Sequence, residues 1–154
     1  MPYVSHLAGV SIILSRHGFD DEVIAAGALH DSMEDCGILF EELERRFGRR
    51  VAELVQHVSE QDKSLSWEER KAAYLEHFSH KPWEAQAISL ADKLDNFRSI
   101  EVCKLDWGEP WAQFKRGKAV QLDRFDQLLK RARALLAHPL IDEYAAGLDR
   151  LREL

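Results

Sequence analysis

Residues 25–37 place one histidine and three carboxylates directly after an alanine-rich stretch. These residues are His30, Asp31, Glu34 and Asp35. Because residues three or four apart share a helical face, the pairs His30/Glu34 and Asp31/Asp35 are predicted to form one polar stripe. Three carboxylates this close repel one another, and burying them without partners is unfavourable. A divalent cation would relieve both problems, so the stretch predicts a metal site; a solvated acidic helix end is the alternative.

Two other stretches carry single polar residues on otherwise apolar helical faces. In residues 87–100, Asp92 interrupts an apolar helical pattern, and Asn96 lies one turn further along its face. In residues 2–13, His6 shares a stripe with apolar side chains, which predicts an inward-facing imidazole. Taken alone, Asp92 is more typical of a paired structural acid and His6 of a core histidine. Together they supply the further ligands that the first stretch lacks.

The three motifs occur in the order PYxxH, HDxxED and ADKLxN. In this order they resemble the HD-domain phosphohydrolases, and more narrowly the RelA/SpoT-type (p)ppGpp hydrolase branch with its small alarmone hydrolases. The resemblance covers about residues 2–102 well and the C-terminal helices more loosely. It implies four metal ligands, which are His6, His30, Asp31 and Asp92. Manganese is the metal that the resemblance implies, and this mixed nitrogen and oxygen set would also accept iron or zinc.

The resemblance implies hydrolysis of the 3′-pyrophosphate of guanosine-3′,5′-bis(diphosphate) by a metal-activated water. It assigns the acidic pair to that water, with Glu34 as the first candidate for the base and Asp35 for an orienting partner. The sequence alone does not divide these two roles.

Substrate phosphates need positive or polar donors near the metal. The candidates are Lys63, Lys93 and Asn96, and the resemblance implies substrate contacts for Lys63 and Asn96. For Lys63 an ordinary surface ion pair is an equally good interpretation. Arg70 and Lys71 are further candidates, for which surface ion pairs are the favoured interpretation.

The sequence predicts an all-α fold, a single-domain HD-type helical bundle over residues 1–154, because strand-like alternation is almost absent. The predicted helices are 3–16, 20–34, 39–46, 48–58, 66–79, 83–102, 111–137 and 141–153. Asp20 and Ser66 are predicted helix caps, the latter in a capping box with Glu69, and Gly18 is a predicted C-cap.

The sequence departs from the family pattern before its first motif. Relatives in the alarmone branch have an additional N-terminal helix and a basic run there, which contribute to the guanine pocket, and the sequence from Met1 lacks both. Leu7 also replaces the proline that follows the ligand histidine. These departures leave open a true start upstream of Met1, another chain that covers the pocket, or an inactive variant. They also leave open another nucleotide substrate, such as a nucleoside monophosphate or a phosphorylated dinucleotide. A non-catalytic regulatory module on the HD scaffold and a purely structural helical protein, which would bind no metal, are the remaining alternatives.

The net charge of −6 argues against a general nucleic-acid or membrane-surface binder, since those partners require a basic field. We therefore expect a small-molecule nucleotide as the partner. Cys36 and Cys103 form no CxxC motif and are expected to be reduced thiols of a cytoplasmic protein. No apolar run approaches a membrane span, and nothing at Met1 resembles a signal peptide. Without the family's first helix, apolar surface would be exposed, which makes a homo-oligomer a further expectation.

Overall fold

The computed structural model describes residues 2–60 and 62–154, and every regular element within these ranges is helical. The α-helices are α1 (Tyr3–Arg16), α2 (Asp21–Ala28), α3 (Ser32–Cys36), α4 (Phe40–Phe47), α5 (Arg49–Val58), α6 (Trp67–Phe78), α7 (Trp83–Trp107), α8 (Gly117–Leu135) and α9 (Pro139–Glu153), with a 3-10 helix at Pro110–Gln113. The predicted all-α class is confirmed. None of the described helices is long and apolar enough to span a bilayer.

Helix α7 is the central element of the bundle. It packs against α1, α2, α5 and α9, while α6 packs against α8. From Ala85 to Ile100 most of its side chains are buried, so this part of the helix is surrounded on nearly all sides. Gly147 permits a close approach of α9, because a Cβ there would lie 2.9 Å from the Leu94 side chain. Any polar residue on this stretch of α7 is therefore held in a fixed position by dense packing.

The predicted helix caps are present. The Asp20 side chain accepts a hydrogen bond from the Val23 backbone at the start of α2. Ser66 and Glu69 exchange both hydrogen bonds of a capping box at the start of α6. Gly18 follows α1 at a φ of 78°, the left-handed conformation that glycine adopts without strain.

The prediction of one continuous helix over residues 20–34 is wrong. The chain leaves α2 after Ala28 and begins α3 at Ser32. Between them, the His30 ring nitrogen Nδ1 lies 2.7 Å from the Gly27 carbonyl, the acceptor that a continuing helix would give to the next turn. His30 and Asp31 therefore lie in a turn and not on the helical face that carries Glu34.

The predicted helix over 111–137 is also divided, whereas α7 runs beyond its predicted end at residue 102. Gly108, at a φ of 95°, follows the last residue of α7, and Pro110 then begins the 3-10 helix. Glu109 caps that turn by accepting a hydrogen bond from the Trp111 backbone. Gly117, at a φ of 71°, redirects the chain into α8. These glycine and proline positions favour a turn over one long helix.

Candidate metal centre and substrate cleft

Three side chains from separate parts of the chain converge beside α7. His6 comes from α1, His30 from the turn after α2, and Asp92 from the middle of α7. Asp92 Oδ1 lies 3.1 Å from His6 Nε2 and 3.5 Å from His30 Nε2, and the two ring nitrogens are 3.3 Å apart. Among the described residues, these three form a group whose ligand atoms all lie within 4.8 Å of one another.

Asp31, the fourth predicted ligand, lies at the edge of this group. Its Oδ2 is 3.2 Å from His30 Nε2, and it also accepts a hydrogen bond from the Tyr3 hydroxyl. Its side chain is 31% exposed, against 5% for His30. Asp31 is therefore adjacent to the three converging atoms and more open to solvent than they are.

The hydrogen bonds at Nδ1 of His6 and His30 determine whether Nε2 of each ring carries a hydrogen or a lone pair. His30 Nδ1 faces the Gly27 carbonyl, which can only accept, so this nitrogen carries the hydrogen. His6 Nδ1 faces the Asp95 carboxylate at 2.7 Å and donates in the same way. In the neutral rings both Nε2 atoms then present lone pairs toward Asp92 Oδ1. Three electron-pair donors face one another, and this nitrogen and oxygen set fits a divalent cation.

The environment of both rings is strongly negative. Hydrogen bonds to Asp92 and Asp95 outweigh burial and raise the pKa of His6 to about 9. Burial lowers the pKa of His30, but hydrogen bonds to Asp31 and Asp92 outweigh it and raise that pKa to about 10. An environment that favours positive charge on both imidazoles also favours a cation between them.

Two of the predicted substrate-binding residues contact the Asp92 carboxylate. Lys93 Nζ lies 2.7 Å from Asp92 Oδ2, and Asn96 Nδ2 donates to Oδ1 at 3.2 Å. Burial would raise the pKa of Asp92, but Lys93 and the two histidine rings hold it well below its usual range. Lys93 and Asn96 also line a cavity of about 480 Å³ that includes His6 and Asp31. They therefore both orient Asp92 and face the space beside it.

Asp95 is a site residue that the sequence analysis missed. Its side chain is buried between α7 and α1, where its carboxylate holds His6 Nδ1. Gly9 makes room for it, because a Cβ at that position would lie 1.9 Å from Asp95 Oδ1. The available signal was spacing: Asp95 lies three residues after Asp92, and Gly9 three residues after His6, so each pair shares a helical face.

Glu34 lines a second, smaller cavity beside the converging residues. This space of about 80 Å³ is also bounded by His30, Asp31 and Asp92. The Glu34 carboxylate accepts a hydrogen bond from the backbone of Glu60, which fixes its position. Burial raises the pKa of Glu34 by more than this backbone donor lowers it. Glu34 is thus a half-buried carboxylate with an elevated proton affinity next to the candidate metal ligands.

The remaining predicted residues lie further out. Asp35 is exposed on α3. Lys63 is exposed and donates to the Glu34 backbone carbonyl at 3.0 Å. Arg70 and Lys71 both pair with Glu60, at 3.5 Å and 2.9 Å, and both are partly buried, so the ion pairs expected from the sequence do not lie on the open surface. Glu60, which anchors Glu34 through its backbone and two cations through its side chain, was not singled out from the sequence.

Comparison with known proteins identifies the family. The family model of the HD domain matches residues 1–111. The chain is 47% identical over 104 residues to a guanosine-3′,5′-bis(diphosphate) 3′-pyrophosphohydrolase of Danio rerio, covering 66% of this chain and 57% of that protein. It is 35% identical over 105 residues to the bifunctional (p)ppGpp synthase/hydrolase SpoT of Escherichia coli, covering 64% of this chain and 15% of that protein. The matches thus span little more than half of the first relative and a small part of the second.

Two solved structures resemble the whole chain. A crystal structure of a Listeria monocytogenes protein has a TM-score of 0.88 and 36% identity, covering 97% of this chain and 99% of that one. A metazoan orthologue of SpoT, described as hydrolysing ppGpp, has a TM-score of 0.80 and 34% identity, covering 97% and 82%. The ordered motifs, the converging side chains and these matches agree: the chain belongs to the HD domain family.

Proposed function

We propose that this protein is a metal-dependent phosphohydrolase that removes the 3′-pyrophosphate of guanosine-3′,5′-bis(diphosphate). The observation that carries the proposal is the convergence of His6 Nε2, His30 Nε2 and Asp92 Oδ1, with Asp31 beside them. The relatives that are named for this reaction, or described as hydrolysing ppGpp, support the choice of substrate.

The four residues His6, His30, Asp31 and Asp92 would hold the cation, and manganese is our proposal for its identity. When bound, a divalent cation supplies Lewis acidity to a phosphoryl oxygen and lowers the pKa of water. The chain's own contribution is to keep the ligands in place. The Gly27 carbonyl and Asp95 fix the two rings, while Lys93 fixes the Asp92 carboxylate.

Glu34 is the proposed general base. Its raised pKa suits a group that takes a proton from the attacking water and holds it at a carboxylate oxygen. The Glu60 backbone amide orients this carboxylate. Asp35 is proposed as the secondary, orienting acid. Its charge, after burial and Asp31, adds to the effects that raise the pKa of the Tyr3 phenol.

Lys93, Asn96 and Lys63 are the proposed substrate contacts. Lys93 and Asn96 line the cavity beside the ligands, so their donors can reach a phosphate or ribose oxygen there. Lys63, anchored on the Glu34 backbone, brings a positive charge to the same side of the site as the proposed base. Its ammonium can stabilise the negative charge of the departing diphosphate.

Residues 1–154 are proposed to form a single HD-type unit, since one apolar core includes side chains from α1 to α9. We further propose a cytoplasmic location, supported by the free thiols of Cys36 and Cys103. A small-molecule nucleotide is the proposed partner, and a homo-oligomer stays a prediction. Exposed apolar side chains such as Leu105 and Trp107, at 85% and 76%, support it.

The test is release of phosphate or pyrophosphate in the presence of manganese, measured across a panel of nucleotides. The panel contains guanosine-3′,5′-bis(diphosphate), nucleoside monophosphates and phosphorylated dinucleotides. Preferred turnover of the bis(diphosphate) supports the proposal. Preferred turnover of another member assigns the same site to a different nucleotide, and manganese binding without turnover of any member favours a regulatory module.

A further inference from the structure

Another cavity, separate from the small one beside Glu34, continues from the candidate metal centre along α7. It has a volume of about 400 Å³ and lies between α6, α7 and α8. Lys93, Asn96 and Ser99 line both this cavity and the one beside the metal ligands. Asp92 and Ser99 are about two helical turns apart, or roughly 10 Å along the α7 axis. A ligand longer than one diphosphate group could therefore occupy both spaces.

The walls of this cavity between α6, α7 and α8 carry an excess of positive charge. Lys71 comes from α6, Lys93 from α7 and Arg124 from α8. Lys71 is paired with Glu60 at 2.9 Å, and Lys93 is paired with Asp92 at 2.7 Å. Arg124 differs, because no carboxylate in residues 2–60 and 62–154 lies within ion-pair distance of it. A partly buried guanidinium without an acidic partner is unfavourable, and an anion in the cavity would remove that cost.

Two neighbours hold the Arg124 guanidinium in place. Its Nη1 donates to Gln121 Oε1 at 2.8 Å, and its central carbon lies 5.0 Å from the centre of the Trp67 ring. Such stacking and one side-chain hydrogen bond restrict the plane of the group, and further N–H donors remain for a ligand. Arginine presents these donors as a planar fork that matches two phosphate oxygens, so the arrangement suits a phosphoryl group.

We infer that Arg124 binds the phosphates that do not react, namely the 5′-diphosphate of the nucleotide, while the 3′-diphosphate faces the metal ligands. The inference rests on the proposed function for the direction of binding. Arg124 lies beyond residues 1–111, where the HD domain family matches, and outside the three motifs. The cavity that Arg124 lines would select nucleotides with phosphates at both the 3′ and the 5′ position of the ribose.

The test compares Arg124→Gln with a control, Arg133→Gln. Arg133 is an exposed arginine on the same helix, and its loss changes the net charge equally. Guanosine-3′,5′-bis(diphosphate) and its analogue with a 5′-hydroxyl are the two substrates. In the unaltered protein and in Arg133→Gln, we expect KM to be at least about tenfold lower for the bis(diphosphate). Arg124→Gln should raise KM for this substrate about tenfold, keep kcat, and leave KM for the 5′-hydroxyl analogue unchanged. An equal effect on both substrates, or no effect on either, overturns the inference.

A second arm does not require hydrolysis, so it separates failure of this inference from failure of the proposed function. Calorimetry measures binding of guanosine 5′-diphosphate and of guanosine to the manganese-loaded protein. We expect the diphosphate to bind more tightly, and Arg124→Gln to reduce that preference about tenfold. Arg124→Lys, which keeps the charge without the fork, should give an intermediate value and replaces Arg124→Gln if the latter unfolds. A preference that is absent in the unaltered protein, or retained in both variants, overturns the inference whether or not turnover is seen.

Discussion

The two ends of the cleft along α7 differ in charge and in construction. At one end, two imidazoles and the Asp92 carboxylate converge within 4.8 Å, and each of the two rings is fixed by a second hydrogen bond. At the other end, three cations line an open cavity, and Arg124 has no acidic partner in the part of the chain that the structure describes. The first end suits a cation and the second an anion. A nucleotide with two separate diphosphates needs both environments, one for the reacting group and one for its anchor.

The two ends offset the unfavourable burial of like charges in different ways. Burying like charges is unfavourable, and at the first end Lys93 and the histidines partly offset the negative charge of Asp92. At the second end Glu60 offsets Lys71, so the positive charge that remains is concentrated at Arg124.

Removing a metal ligand should abolish manganese binding at the first end of the cleft. We expect Asp92→Ala and Asp31→Ala to weaken manganese binding by more than about a hundredfold and to lose turnover with it, because partners that only orient a ligand already contribute about 10- to 100-fold. Manganese titration and pyrophosphate release measure the two quantities. Asp106→Ala, which removes an exposed carboxylate from the same helix, is the control. Full metal affinity in Asp92→Ala would exclude that residue as a ligand.

Replacing the proposed base should separate binding from chemistry. We expect Glu34→Gln to keep manganese and to lower kcat by about 10²- to 10⁴-fold. Since the base must be deprotonated and burial raises its pKa, kcat of the unaltered protein should fall as the pH drops through that raised value. This fall should be absent from the residual activity of Glu34→Gln. Unchanged kcat in the variant would remove Glu34 from the mechanism.

Altering the hydrogen-bond partner of His6 should weaken manganese binding at the first end without abolishing it. Asp95→Asn keeps the shape and a hydrogen-bond acceptor for His6 Nδ1 but removes the charge, so we expect manganese affinity to fall about tenfold. Gly9→Ala should give a similar loss, because its methyl group would displace the Asp95 carboxylate. Manganese titration with thermal unfolding measures both. If Asp95→Asn binds as tightly as the unaltered protein, Asp95 does not act through His6.

The smallest effect is expected at Lys81, a partly buried lysine close to Lys93. Burial and the nearby Lys93 lower the pKa of Lys81 to about 8, from an ordinary value of 10.5. Below pH 8 the folded protein therefore holds a disfavoured charge, and Lys81→Gln should raise Tm by roughly a few degrees at pH 7. This gain should fade as the pH rises from 8 to 10.5, because the folded lysine is then neutral and the unfolded chain progressively loses its own proton. Thermal unfolding across this range measures it, and a gain independent of pH would point to another cause.

The sequence predicted the first end of the cleft better than the second for a physical reason. His6 and Asp92 interrupt apolar faces of regular helices, and such faces point inward, so their convergence followed from periodicity and the ordered motifs. The break after Ala28 was not predicted, because it depends on the His30 ring taking the Gly27 carbonyl. Arg124 was not predicted either. Its position on α8 is typical of a surface arginine, and only the packing of α6 against α8 brings Trp67 to it.

Anomalous diffraction can locate the cation that we propose between the two rings and Asp92. Crystals grown with manganese chloride would be measured on both sides of the manganese absorption edge. We expect one strong anomalous peak per chain, bounded by His6 Nε2, His30 Nε2 and Asp92 Oδ1, with Asp31 beside it. No peak at that position, or a peak bound by other residues, would show that these side chains do not hold the cation.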